Sequence, residues 1–272
     1  MKPTSWKLFC KAACPPWPTC RHSISPQRDQ FCQLIARPAA GRCAPMKSNG
    51  SAQTAPNVPS APARCKPKIS VMHPADQLTV KDFLNVLQAQ DTPLHSEKTP
   101  APGQTLRPAA VLVPLFRYAD AWHILYTRRA DRVETHKGQV AFPGGASETG
   151  ESPEQTALRE AQEEIGLRPA DVNTLGRLPQ IITISDFLVT PIVGIIPWPY
   201  AFRVYTPEVA RVFSLPLAWL AERGNFMELT RVETGRRVIA YLPQDGELLW
   251  GATAHMTMEF LKRLRLLYPS VK

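Results

Sequence analysis

The chain has 272 residues, 44% of them hydrophobic, and a formal net charge of +9 that is unevenly placed: residues 1–70 carry eleven Lys/Arg against a single acidic residue, Asp29, whereas residues 71–272 carry 21 basic and 22 acidic residues. The basic excess therefore belongs to the first segment, and the remainder offers neither a basic stripe nor an aromatic stacking platform for nucleic acid. No run approaches the roughly 18 continuous apolar residues needed to span a bilayer, so no membrane segment is expected.

All six cysteines (Cys10, Cys14, Cys20, Cys32, Cys43 and Cys65) and eleven prolines lie in residues 1–70. The cysteines make no paired CxxC knuckles and no periodic apolar residues surround them, which argues against a zinc module; the cysteine-free remainder shows no dependence on disulfides. Gly50 to Pro67 is rich in Ser, Ala and Pro, the composition of an extended linker. Residues 1–70 are thus expected to be a disordered basic tail and linker, and residues 71–272 a folded domain. A cytoplasmic location is expected, although the basic, acid-poor tail would also suit an organellar presequence.

In the domain, Leu78, Val80, Phe83, Leu84 and Leu87 recur at helical spacing after Thr79, a candidate cap. Ala109–Phe116 and Trp122–Arg128 read as two strands of a hairpin turning at Tyr118–Ala121. Gly138–Phe142 leads into Pro143, Gly144 and Gly145, a turn that needs the permissive backbone of glycine. Ser152 as cap, Pro153 in the first turn, Gln155 in the return position of a capping box and Gly166 as stop then delimit a helix. Leu175–Leu178 and Leu188–Ile196 are strand candidates, the second interrupted near Pro191. The nearly continuous apolar runs imply a mixed, mostly buried sheet. Residues 207–221 read as a short helix and an apolar turn, Met227–Val232 and Arg237–Leu242 as two arms about a Glu233–Gly235 turn, and Leu248–Thr253 passes into a final helix with Met256, Phe260, Leu264 and Leu267 on one stripe.

On the helix after Ser152, Glu160, Glu163 and Glu164 stand at i, i+3 and i+4, so their carboxylates share one face while Leu158, Ala161 and Ile165 point inward from another. Three like charges this close repel unless the face is well solvated or a cation gathers them, and an oxygen-only donor set favours hard Mg²⁺ or Mn²⁺.

The segment GASETGESPEQTALREAQEEIGL resembles the Nudix box at Gly145, Glu151, Arg159, Glu160, Glu163, Glu164 and Gly166. The segment before it, LYTRRADRVETHKGQVAFPGG, is similar to the signature of the coenzyme A pyrophosphatase branch at Leu125, Thr127, Arg129, Ala130, Gly138, Phe142, Pro143, Gly144 and Gly145. It departs from that pattern at Tyr126, in place of a leucine, and at Glu134, in place of an arginine. RPAAVLVPLF, FLVTPIVGII, EVARVFSLPLAWL and LWGATAHMTMEFL extend the similarity over most of residues 105–267.

The resemblance implies an α/β/α sandwich with a mixed sheet, a metal held by Glu160, Glu163 and Glu164, catalysis by Glu163, Glu164 and Arg159, and structural support from Glu151 and Gly166. Arg128, Arg129, His136, Gly144 and Gly145 are the expected substrate neighbours. The implied reaction is hydrolysis of the diphosphate of coenzyme A or its derivatives, giving adenosine 3′,5′-bisphosphate and a 4′-phosphopantetheine. Alternatives are hydrolysis of another nucleoside diphosphate derivative and a non-catalytic binding or interaction protein. The expected partner is that small molecule, not nucleic acid or a membrane, and a homodimer is compatible with this reading.

Overall fold

A computed structural model describes residues 72–87, 95–96, 103–132, 136–230 and 237–267. The expected tail, residues 1–70, and Glu134 lie outside the described residues. The helices are α1 (Val80–Leu87), α2 (Pro153–Ile165), α3 (Leu217–Ala221) and α4 (Gly251–Arg263). The strands are β1 (His95–Ser96), β2 (Arg107–Tyr118), β3 (Ala121–Arg129), β4 (Val140–Ala141), β5 (Gly144–Ala146), β6 (Asn173–Arg177), β7 (Ile181–Ile182), β8 (Phe187–Ile195), β9 (Val209–Pro216), β10 (Phe226–Thr230) and β11 (Arg237–Tyr241).

Strands β1 to β9 form one mixed sheet along the path β1-β7-β8-β2-β3-β4, with β5 paired to β2, β6 to β8 and β9 to β3; β10 and β11 form a separate hairpin. Central β2 runs parallel to β8 and antiparallel to β3. Its side chains alternate between two apolar layers. Ala109, Val113 and Leu115 face α1, α3 and α4, whereas Ala110, Leu112 and Phe116 face Ala157, Ala161 and Ile165 of α2. Period-two alternation on a strand covered on both sides explains why β2 reads as an unbroken apolar run. The result is an α/β/α sandwich.

The layer opposite α2 closes with Phe83 edge-on to Trp122 (4.8 Å) and stacked on Phe260 (5.9 Å). Complete burial of Phe83 contributes roughly 1.5–3 kcal/mol relative to exposure. Among the described residues no helix is long and apolar enough to cross a membrane.

Two sequence expectations are corrected. Within residues 207–221, read as a short helix and an apolar turn, residues 209–216 are instead a strand paired antiparallel to β3, and helix α3 starts only at Leu217, after Pro216. Pro191 does not interrupt β8. It lies between the stretches paired to β7 and to β6, where its carbonyl accepts the Leu178 N–H (2.9 Å) and no donor is required of it.

Candidate active site

The site is assembled where β5 lies between β2 and α2. Pro143 accepts the Leu112 N–H (2.8 Å), and this draws Gly144 against β2. A Cβ on Gly144 would fall 2.4 Å from the Ala110 carbonyl oxygen, and one on Gly145 would fall 2.5 Å from the Glu160 carboxyl carbon. Gly144 has no room for a side chain because the backbone of β2 occupies that space, whereas the obstacle at Gly145 is the end of the Glu160 side chain.

Helix α2 is held at both ends. Ser152 Oγ accepts the Gln155 N–H (3.2 Å) and Gln155 Oε1 accepts the Ser152 N–H (2.8 Å), a reciprocal cap contributing about 1 kcal/mol. Gly166 closes the helix at φ 70°, in the left-handed region, and a side chain there would meet Arg203. The segment after β8 crosses this end, with the Arg203 and Tyr205 N–H groups donating to Ile165 O (2.9 Å) and Glu164 O (2.8 Å).

Arg159 organises the carboxylates. Its Nε donates to Glu151 Oε1 (2.7 Å), its Nη2 to Glu151 Oε2 and the Ala146 carbonyl (both 3.1 Å), and its Nη1 to Glu160 Oε1 (2.8 Å) and Glu163 Oε2 (3.3 Å). Glu151 also accepts the Glu148 N–H and the Thr156 hydroxyl (both 2.9 Å). The Arg159 hydrogen bond, with help from the Glu148 N–H, lowers the Glu151 carboxyl to about 2. The same bond raises Arg159 in return.

The catalytic candidates differ in environment. Glu163 is largely exposed, Glu160 half-buried and Glu164 buried. Burial first, then the charge of Glu160, lifts Glu164 to about 8 against the opposing pull of Arg129; burial also raises Glu160. Glu208, on the segment leading into β9, adds its negative charge to both. Sequence reasoning missed Glu208, because it has no periodic or motif relation to α2. Only the crossing of residues 203–208 over the helix end brings it close.

Among the described residues no three His, Cys, Asp or Glu side chains close on one point as a metal cage would. Here Arg159 Nη1 spans Glu160 and Glu163 in the role of counter-charge. The donor chemistry nonetheless fits a hard cation. Glu164 Oε2 is buried without a hydrogen-bond partner, and it faces the mutual repulsion of neighbouring carboxylates that a divalent ion would relieve.

The expected substrate neighbours divide between the two faces of the sheet. Arg129 lies close enough to Glu164 to oppose its proton uptake, and its Nε is buried without a partner. Arg128 continues the opposite side of β3, where Nη2 pairs with Asp131 (2.9 Å) and Nε lies 3.7 Å from Glu247. His136 is exposed at φ 57°, with Nδ1 2.9 Å from Gln139 Oε1.

Residues 105–211 match the family model of the NUDIX domain. The chain is 38% identical over 186 residues to the uncharacterized Nudix hydrolase NudL of Citrobacter koseri, covering 67% of this chain and 93% of that protein. It is 36% identical over 184 residues to its namesake in Escherichia coli K12, with 67% and 93% covered. Among solved structures, a MutT/nudix family protein from Enterococcus faecalis aligns over 70% of each chain at 16% identity and a TM-score of 0.41. The Nudix hydrolase RenU of M. Smegmatis aligns over 43% of this chain and 75% of its own at 23% identity and a TM-score of 0.38.

Proposed function

Because the chain belongs to the Nudix hydrolase family, we propose that it hydrolyses the diphosphate of coenzyme A or a derivative of it, with Mg²⁺ or Mn²⁺ held by Glu160, Glu163 and Glu164. The observation carrying the reading is the buried, partnerless oxygen of Glu164 with the Arg129 charge nearby, a juxtaposition suited to a cation and a phosphate group together. The coenzyme A assignment rests on the sequence signature from Leu125 to Gly145.

When bound, the divalent ion supplies neutralisation of the diphosphate charge and a more acidic water. The chain's own residues do the rest. Arg129 and the backbone of Gly144 and Gly145 orient the diphosphate, and Arg159 keeps Glu160 and Glu163 aligned on α2. Glu163 and Glu164 are the candidates for accepting the proton of the attacking water. Glu151 locks Arg159, and Gly166 ends the helix where Glu164 needs its backbone held.

The test is a panel of coenzyme A, dephospho-coenzyme A, dinucleotides and nucleotide sugars with Mg²⁺ or Mn²⁺, both products being identified. Coenzyme A is expected to exceed dephospho-coenzyme A in kcat/KM by roughly tenfold to a hundredfold, the worth of one charged hydrogen bond to the 3′-phosphate. Efficient cleavage of dinucleotides or nucleotide sugars with both coenzyme A forms left intact would overturn the assignment.

A further inference from the structure

Arg128 on β3 and Arg211 on β9 are directly opposite partners in an antiparallel pair, and both point away from α2. Like charges facing each other across a strand pair are destabilising, and this pair stands where the register shifts by a bulge between Arg128 and Arg129. Asp131 pairs with Arg128 alone, and Glu247 lies between the two arginines. It is 8% exposed, its Oε1 accepts from Arg211 Nη1 (3.3 Å), and its Oε2 lies 3.7 Å from Arg128 Nε.

The carboxylate is delivered by a turn built for the purpose. Gln244 and Glu247 exchange backbone hydrogen bonds (3.0 and 2.9 Å), and Asp245 and Gly246 both have positive φ (51° and 82°), as a two-residue type I′ turn requires. The Asp245 carbonyl accepts from Arg211 as well (3.4 Å). The turn and Glu247 lie beyond residues 105–211, the part of the chain that matches the family model and that holds both arginines.

On the other side of the sheet the same strand ends carry Arg129 and, one residue before β9, Glu208, joined by the Ala130 N–H to Glu208 carbonyl bond (2.7 Å). We propose that Glu247 is a positioning residue: by neutralising the Arg128–Arg211 pair it fixes the bulged β3–β9 end, and so holds Arg129 at the diphosphate and Glu208 at the α2 carboxylates. This rests on the diphosphatase reading above. Asp131 balances Arg128 from an exposed position (2.9 Å), but Glu247 is the buried carboxylate set between both arginines, and without its charge the strand ends part and the phosphate-facing arginine loses its place.

The experiment compares wild type, Glu247→Gln, Glu247→Asp, Arg211→Gln and the Glu247→Gln/Arg211→Gln double variant. It measures kcat and KM on coenzyme A with Mg²⁺, and pyrophosphate affinity with Mg²⁺ by calorimetry. Glu247→Gln is expected to lose roughly tenfold to a hundredfold in kcat/KM, mainly through KM, and to bind pyrophosphate correspondingly more weakly. Glu247→Asp should fall between it and wild type. The double variant should recover most of the loss, since removing one of the facing arginines removes the repulsion.

A structural role alone would lower the melting temperature without the KM effect or the second-site rescue. Wild-type kinetics and affinity in Glu247→Gln, or a double variant no better than the single, overturns the proposal. If Glu247→Gln does not fold, the Asp and double variants carry the same comparison. If wild type binds pyrophosphate but leaves coenzyme A intact, the substrate reading fails while the affinity ratios still decide the role of Glu247. If wild type does neither, both fall.

Discussion

The Glu160 carboxylate occupies the space that a side chain on Gly145 would need, 2.5 Å from the ideal Cβ position. The obstacle is the far end of a flexible side chain and not backbone, so the chain can accommodate Gly145→Ala by swinging Glu160 aside. Gly145→Ala is therefore expected to fold, losing about 1 kcal/mol or less, while kcat/KM drops on the order of a hundredfold because a metal-face carboxylate is displaced. Kinetics beside a thermal melt checks this; equal activity in folded Gly145→Ala would detach Glu160 from the reaction.

Glu163→Gln and Glu164→Gln should each reduce turnover by roughly a hundredfold or more with the fold intact. Glu163 is exposed and Glu164 already lacks a partner at one oxygen, so neither amide removes a stabilising buried contact. Near-normal rates in both variants over a range of Mg²⁺ and Mn²⁺ concentrations would remove them from the site.

In the metal-free protein, Glu164 and Glu151 should leave opposite marks on stability against pH. The folded state holds the Glu164 proton up to about 8, whereas the unfolded chain loses it near the ordinary value of 4.5. Between those values the folded form binds more protons, so stability declines as pH rises and levels off above about 8. Glu151, lowered from 4.5 to about 2, contributes stability above 4.5 that is lost as pH falls toward 2. Melting temperatures of chelator-treated protein test both: Glu164→Gln should flatten the neutral limb and Glu151→Gln the acid limb. An unchanged neutral slope in Glu164→Gln would contradict the assignment.

A chain starting at Val71 is expected to keep kcat/KM within about twofold of the full chain, since a Pro-rich, basic segment with few periodic apolar residues supplies no core. Purification of that variant, a thermal melt and the same assay decide it. Loss of folded protein or of activity would show that residues 1–70 contribute to the domain.

Much of the site was legible locally. The cap at Ser152, the stop at Gly166 and the i, i+3, i+4 glutamates are relations within one helix, where spacing along the chain is spacing in space. The alternating runs on either side of Tyr118–Ala121 likewise gave a hairpin, because period-two burial and a tight turn are local properties.

Tertiary structure decided which residues meet across distance. Residues 209–216 carry apolar positions that suit helix or strand, and pairing with the open edge of β3 selected the strand. Arg128 and Arg129 are adjacent in sequence and look equivalent, yet the pleat sends one toward Glu247 and the other toward Glu164. Glu208 and Glu247 carry no signal of their own, because a carboxylate acquires a role only from the charges that folding places beside it, and those come from β3, β9 and α2. The sequence by itself determined the glutamate-bearing helix, its boundaries and the spacing of its carboxylates; burial and strand register, which are properties of the packed sheet, determined how each charge on it is held.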